Sequence, residues 1–567
     1  KGLSTTDFSD FSTTQIGAFS SAQVGSLSTT NLSSLSSTEV QALSTTQLGG
    51  LSAAQIGGLS TVDAGEFTST QLGQLSTAQL GGFTATSFSA LSSTQVAGIG
   101  TAQIGGLTAA QFKGLTSTDI GEFTSTQVGQ FTATQIASLS TTALNGLSTT
   151  AVAALTTTQV KGLTAAQLGG ISSTDLGALT SGQLGNLSSS QLNGLNATSA
   201  AALTTTQLGG LSSTQVGQLS TGNLSALTST QVQALSATQV AGLTTTQVKS
   251  LSTTDFSDFT TTQIGAFSSA QLGSLSDANL SAISSTVIHA LTTTQVGGLT
   301  TTQMKGMSST DLGDFTSTQI GQLTSAQLGA VSSTALSSLS TTQISLITTT
   351  QIPGLTATQL GGLTTAEAAA LTTTQIGALS SAQVGGLGAA NFSALSSTQV
   401  RSLGTTQLTG ISTAEIGGLS TTDVGEFTST MLGGLTGTQI GALNTANFTS
   451  LTSTQIGGLQ STQIKGLTST QLGTVSTTTF GQLLTAQVQA LTATQIGGLS
   501  TTVVGGLTTT EVGTLLSTQI SGLTSTQIGQ LSTTNITAMS TTQLSGFTQV
   551  QVQSMSTAQA QAYVLAS

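Results

Sequence analysis

Six carboxylate pairs recur along the chain with the same spacing of three residues: Asp7/Asp10, Asp63/Glu66, Asp119/Glu122, Asp255/Asp258, Asp311/Asp314 and Asp423/Glu426. Each is followed at once by a phenylalanine, at Phe11, Phe67, Phe123, Phe259, Phe315 and Phe427. Two roles compete for these acids. Recurrent hard oxygen ligands suit calcium, although Ca²⁺ wants six to eight of them and one pair needs help from neighbouring carbonyls. The other role is to place negative charge near the N-terminal ends of short helices. No EF-hand spacing is present, so the expectation is no metal, with calcium as the alternative.

Little else could do chemistry. The 567 residues include no Cys, no Trp, one Tyr and one His, and only 25 side chains are charged, 18 acidic and 7 basic. That excludes a thiol enzyme, a disulfide scaffold and a Cys/His metal centre. A net charge of −11 also excludes nucleic-acid binding through a basic surface, which must neutralise phosphates. No glycine-rich phosphate loop with its Lys-Ser/Thr ending occurs. His289 stands at position 7 of the repeat described below, where the lysines also stand, and the matching residue of an earlier copy is Gln41; it reads as a tolerated polar residue. Asn31, Asn223, Asn391 and Asn447 satisfy the N-glycosylation pattern, a match that arises by chance in a sequence so rich in Ser and Thr; O-linked sugar stays open. The expectation is neither enzyme nor cofactor.

What positions these residues is a repeat. Large apolar residues fall every eight positions from Leu3 through Ile171, Met307, Val331 and Met555 to Tyr563, which makes 71 octamers without a slip. The consensus is Leu-Ser/Thr-Thr-Thr-Gln-Ile-Gly-Gly, numbered 1 to 8. The domain expectation is one continuous array over residues 1–567. The chain begins at position 7 and ends at position 5 of an octamer, and so reads as a window of a longer, processed protein. It has no run of 18 apolar residues to insert in a membrane.

Apolar spacing of 5, 3, 5, 3 would send positions 1 and 6 to opposite faces of a strand. A β-solenoid needs a corner or bulge in every octamer, yet Thr-rich units and stacked Gln ladders keep it as the alternative. A helix accounts for more positions. Ser/Thr at 2 and Gln/Glu at 5 form a capping box, flanked by the apolar pair of a hydrophobic staple at 1 and 6. Gly at 7 and 8 then ends the helix. Position 2 departs to Gly100, Gly388, Gly404, Asn196 and Asn444, all acceptable caps; Gln460, Leu484 and Leu516 fit less well. Eleven of the 18 acids occupy position 5, and all basic residues (Lys1, Lys113, Lys161, Lys249, Lys305, Arg401, Lys465) occupy position 7, as a helix dipole favours. Lys1, Lys113, Lys249 and Lys305 each precede an acid by six residues, which suggests ion pairs. Pro353 would interrupt its own helix. The fold expected is all-α, a solenoid of very short capped helices, one per octamer.

A longer period lies over the first. Asp7, Asp63, Asp119 and Asp175 are 56 residues apart, as are Asn31, Ser87, Ala143 and Ser199; both series shift phase and resume at Asp255 and Asn223. Either seven octamers close whole turns, or the gene grew by 56-residue duplications.

The units Leu51-Ser-Ala-Ala-Gln-Ile-Gly-Gly, Leu107-Thr-Ala-Ala-Gln-Phe-Lys-Gly and Leu235-Ser-Ala-Thr-Gln-Val-Ala-Gly resemble the L-S/T-x-x-Q-hydrophobic arrays of very large proteobacterial surface and secreted proteins. The resemblance implies an extracellular or cell-surface protein of structural role. The calcium-binding Gly-Gly-x-Gly-x-Asp nonapeptide of many such proteins is absent, so no calcium dependence carries over from it. The function expected is a rod or filament that self-associates, with cell surface or matrix as its setting. The alternatives are the stalk of an adhesin and an ice-binding β-solenoid with Thr on one face.

Overall fold

A computed structural model describes residues 2–567. The chain forms two compact units, Lys1–Ala282 and Ile283–Ser567, each built in the same way. Among the described residues there are 69 α-helices, one 3₁₀ helix and no strand. The capped-helix reading holds; the β-solenoid is not formed, and the ice-binding reading loses the scaffold it required.

Thr45–Leu48 shows how an octamer folds. Ser44 stands in extended backbone at the N-cap, its Oγ accepts the Gln47 N–H at 3.3 Å, and Gln47 Oε1 accepts the Ser44 N–H at 2.9 Å. These reciprocal bonds satisfy two of the donors a helix start leaves open. Where position 2 is Gly100, Gln460, Leu484 or Leu516 the side-chain half is lost. The backbone half persists, with the position-5 Gln Oε1 accepting at 2.6–2.8 Å. Asn196 and Asn444 supply the side-chain half, each at 2.8 Å, with no reciprocal bond from position 5. Pro353 does break its helix: Ile352–Gly354 is the 3₁₀ turn.

Helices of one turn are far below the about 12–15 residues at which an isolated helix becomes even marginal. Stacking sustains them. Within each unit most pack on the third helix along the chain, as Ser21–Gly25 does on Thr45–Leu48 in the first unit and Ala357–Gly361 on Ser381–Gly386 in the second. Positions 1 and 6 fill the interior, for example Leu48, Leu51, Ile376 and Leu379.

The glycines do not end helices through a left-handed residue. Gly388 (φ 77°) is the one positive-φ residue described, and chains such as Ser37–Ala42 leave the helix at an extended position-1 residue, here Leu43 (φ −64°, ψ 126°). Position 8 is glycine because layers touch there. A Cβ on Gly98 would lie 2.6 Å from the Ser69 carbonyl oxygen and 2.7 Å from Ser69 Cβ.

Candidate functional site

The residue that joins one layer to the next is the position-5 glutamine. Its Oε1 is spent on its own helix cap, which aims its amide nitrogen at the preceding turn. Gln47 Nε2 donates to the carbonyls of Ile16 (2.9 Å) and Phe19 (2.8 Å), 31 and 28 residues earlier. Gln111 does the same to Leu80 and Phe83, Gln239 to Leu208 and Leu211, Gln359 to Leu328 and Val331, and Gln519 to Val488 and Leu491. All of these glutamines are buried. One amide therefore caps a helix and clamps it to the junction of two octamers below. Links of 28 and 31 residues put one turn between three and four octamers. Two such links of 28 residues add to the 56-residue period of the sequence.

The acid pairs sit where this clamp is missing, because a carboxylate has no proton to donate. Asp63, Asp119, Asp255 and Asp423 keep the cap, accepting from Ser60, Thr116, Ser252 and Ser420 N–H at 2.7–3.1 Å. A serine hydroxyl from the turn below replaces the lost clamp: Ser33 donates to Asp63 (2.7 Å), Ser89 to Asp119 (2.5 Å), Ser225 to Asp255 (3.1 Å) and Ser393 to Asp423 (2.8 Å). Asp311 caps in the same way from Ser308. Asp7 is exposed, and the Ser4 hydroxyl and amide hold its carboxyl below the usual range. Asp175 is buried, which pushes its carboxyl up against the opposing hydrogen bond from Ser172.

The second acids, Asp10, Glu66, Asp258, Asp314, Glu122 and Glu426, follow their helices at position 8. Glu66 Oε2 and Glu122 Oε2 are shielded from water without a hydrogen-bond partner. Burial, and then the neighbouring Asp63 or Asp119, pushes these two carboxyls up. Glu426 is raised by burial and Asp423 and pulled back by Arg401. No three acidic or histidine side chains converge among the described residues, and one Asp oxygen of each pair just described is already taken by Ser. The calcium alternative thus finds two carboxylates per site, well short of six to eight oxygens.

The remaining sequence candidates are placed as follows. Lys113, Lys161, Lys249, Lys305, Arg401 and His289 occupy the last turns of their helices, where positive charge is favoured; Lys1 lies outside the described residues. Asp119 and Asp255 take their bonds from Ser and Thr rather than from Lys113 and Lys249. Asn31, Asn223, Asn391 and Asn447 are buried, and the Nδ2 that would carry a sugar donates to carbonyls of Leu3, Leu195, Leu363 and Leu419. One open surface recess is bordered by Arg401, Glu426, Thr428, Ser450 and Gln455, and another, apolar, by Ala560, Val564 and Leu565. No described helix is long and apolar enough to cross a membrane.

The glutamine clamp was not read from the sequence, which suggested the cap and, for the β alternative, a ladder of stacked glutamines. Its signal was there: a capping box accepts Glu as readily as Gln, yet position 5 is Glu at only Glu39, Glu367, Glu415 and Glu511.

Among curated proteins none matches the chain. Residues 218–253 match the ALTTAQ repeat, a stretch whose glutamines Gln231, Gln239 and Gln247 all clamp to the turn below. By that match and its unbroken octamers, the chain is a repeat protein.

Proposed function

We propose that this is a structural protein without enzymatic activity, an extracellular or cell-surface rod or filament that associates with copies of itself. The observation that carries the reading is the glutamine clamp. In most octamers the position-5 side chain is spent on holding one layer to the next, and clamped layers extend without limit. The outward positions support it. Residues 2 to 4 of the octamer are mostly exposed Ser, Thr and Ala, and with 4% charged residues little repulsion opposes lateral contact. The resemblance to secreted proteobacterial arrays supplies the setting.

Electron microscopy of the purified chain tests this. Ordered fibres of several chains are the expected result. Single unassociated threads favour the stalk of a surface adhesin instead, and compact monodisperse particles would remove both.

A further inference from the structure

The positive φ at Gly388 has a cause 27 residues away. Everywhere else that an α-helix follows, the position-2 residue is extended; here position 2 is Gly388 at positive φ, and Leu387 before it, alone between Ser381–Gly386 and Gly388–Ser393, lies in the helical region (φ −61°, ψ −37°). The Gly388 N–H donates to Glu415 Oε1 at 2.9 Å, while Glu415 Oε2 accepts the Ser412 N–H at 2.7 Å. Glu415 is buried and occupies position 5. A glutamine there would donate to the carbonyl 28 residues back, Leu387, as Gln383 does to Leu355 at 2.8 Å. A carboxylate would meet that carbonyl oxygen to oxygen. Turning over the 387–388 peptide replaces the acceptor with a donor, and glycine allows it because it tolerates positive φ.

The chain contains its own controls. Gly100 and Gly404 are also glycines at position 2, with Gln127 and Met431 at the corresponding later positions, and both stay extended (φ −68° and −78°). Glu39, Glu367 and Glu511 are also position-5 glutamates; the residues 27 before them, Ser12, Ser340 and Leu484, stay extended. Neither residue alone turns the peptide over; the pair does.

We infer that Gly388 and Glu415 form a proton-operated peptide switch. The carboxylate holds the turned-over 387–388 peptide. A protonated Glu415 instead donates its O–H to the Leu387 carbonyl, the peptide returns, and the bend between octamers is restored as at other junctions. The two helices packed on Thr413–Gly418, Gly388–Ser393 and Gly437–Gly441, carry no charged residue.

The test is a double-mutant cycle on the full chain, read by hydrogen exchange of residues 381–394. A Cβ at Gly388 meets nothing within 4 Å, so Gly388→Ala reports backbone strain and no clash. It should raise local opening about tenfold in the Glu415 background, the factor that goes with holding an L residue at positive φ. In the Glu415→Gln background it should change opening by less than about twofold, because the peptide is no longer turned over. The single Glu415→Gln chain should give, at neutral pH, the protection pattern that the unmodified chain shows only in acid, after correction for intrinsic exchange rates. An equal effect of Gly388→Ala in both backgrounds, or a Glu415→Gln structure that keeps positive φ at Gly388, overturns the switch.

Discussion

Replacing Gln111 by Glu isolates what the amide clamp contributes. Gln111 is 1% exposed; its Oε1 accepts from Thr108 N–H at 2.7 Å, and its Nε2 donates to Leu80 and Phe83 carbonyls at 2.8 and 3.0 Å. Gln111→Glu retains the cap, so helix start and burial are unchanged. It removes two donations worth about 0.5–1.5 kcal/mol each, leaves the Phe83 carbonyl without its Gln111 donor and leaves Leu80 with only the Phe83 N–H at 3.3 Å, for about 3 kcal/mol in all. Since 1.4 kcal/mol is a factor of ten, local opening should rise about a hundredfold. The loss should appear in hydrogen exchange of residues 78–90 and 108–116 and leave distant octamers untouched, as nearest-neighbour stacking requires. Gln15→Glu is the control. Gln15 is exposed and forms the cap bond at 2.8 Å without a clamp, so the change should be within about 0.5 kcal/mol, or favourable through the helix dipole. If the two substitutions prove equally mild, layers are held by apolar packing alone and the clamp argument fails.

The close glycine contact makes an opposite pair of forecasts. Gly98→Ala should destabilise by about 1–3 kcal/mol through overpacking, while Gly17→Ala, with open space around it, should be neutral or gain up to about 1 kcal/mol; thermal melts of the two variants decide. Glu66 and Glu122 bind a proton more tightly folded than unfolded, so their contribution to stability is present at low pH and is lost as pH rises through their folded-state values. Glu66→Gln with Glu122→Gln should therefore stabilise the chain at pH 7 and flatten its gain on acidification; an unchanged pH profile in denaturant titrations would contradict the shielded geometry. Leu484 is 60% exposed at an N-cap that lacks its side-chain bond. Leu484→Ser should add about 1 kcal/mol, read from the denaturation midpoint.

The parts of this fold that were readable in the sequence are those whose partners lie within a few residues. Ser44 and Gln47 announce a cap because the signal spans three positions, and Pro353 announces its own broken helix. Gln47 and Ile16 are 31 residues apart, and nothing local connects them. The same distance hid the serine partners of the acid pairs: Asp63 was visible beside Glu66, whereas Ser33, 30 residues earlier, looked like any other serine. The glycines misled for a different reason. Gly at the end of a helix usually means a left-handed cap, while at Gly98 it means that Ser69 comes too close for a methyl group.

Because each clamp reaches a backbone carbonyl and not a particular side chain, every octamer presents an acceptable landing place to every other. Whole modules can then be gained or lost by unequal recombination with little redesign, and overall length becomes a quantity selection can adjust freely. A gain of one or two codons has no such licence: it would carry off their acceptors every glutamine whose links of 28 and 31 residues span the insertion, so the reading interval of eight is policed by hydrogen bonding far more strictly than the identity of most residues within it.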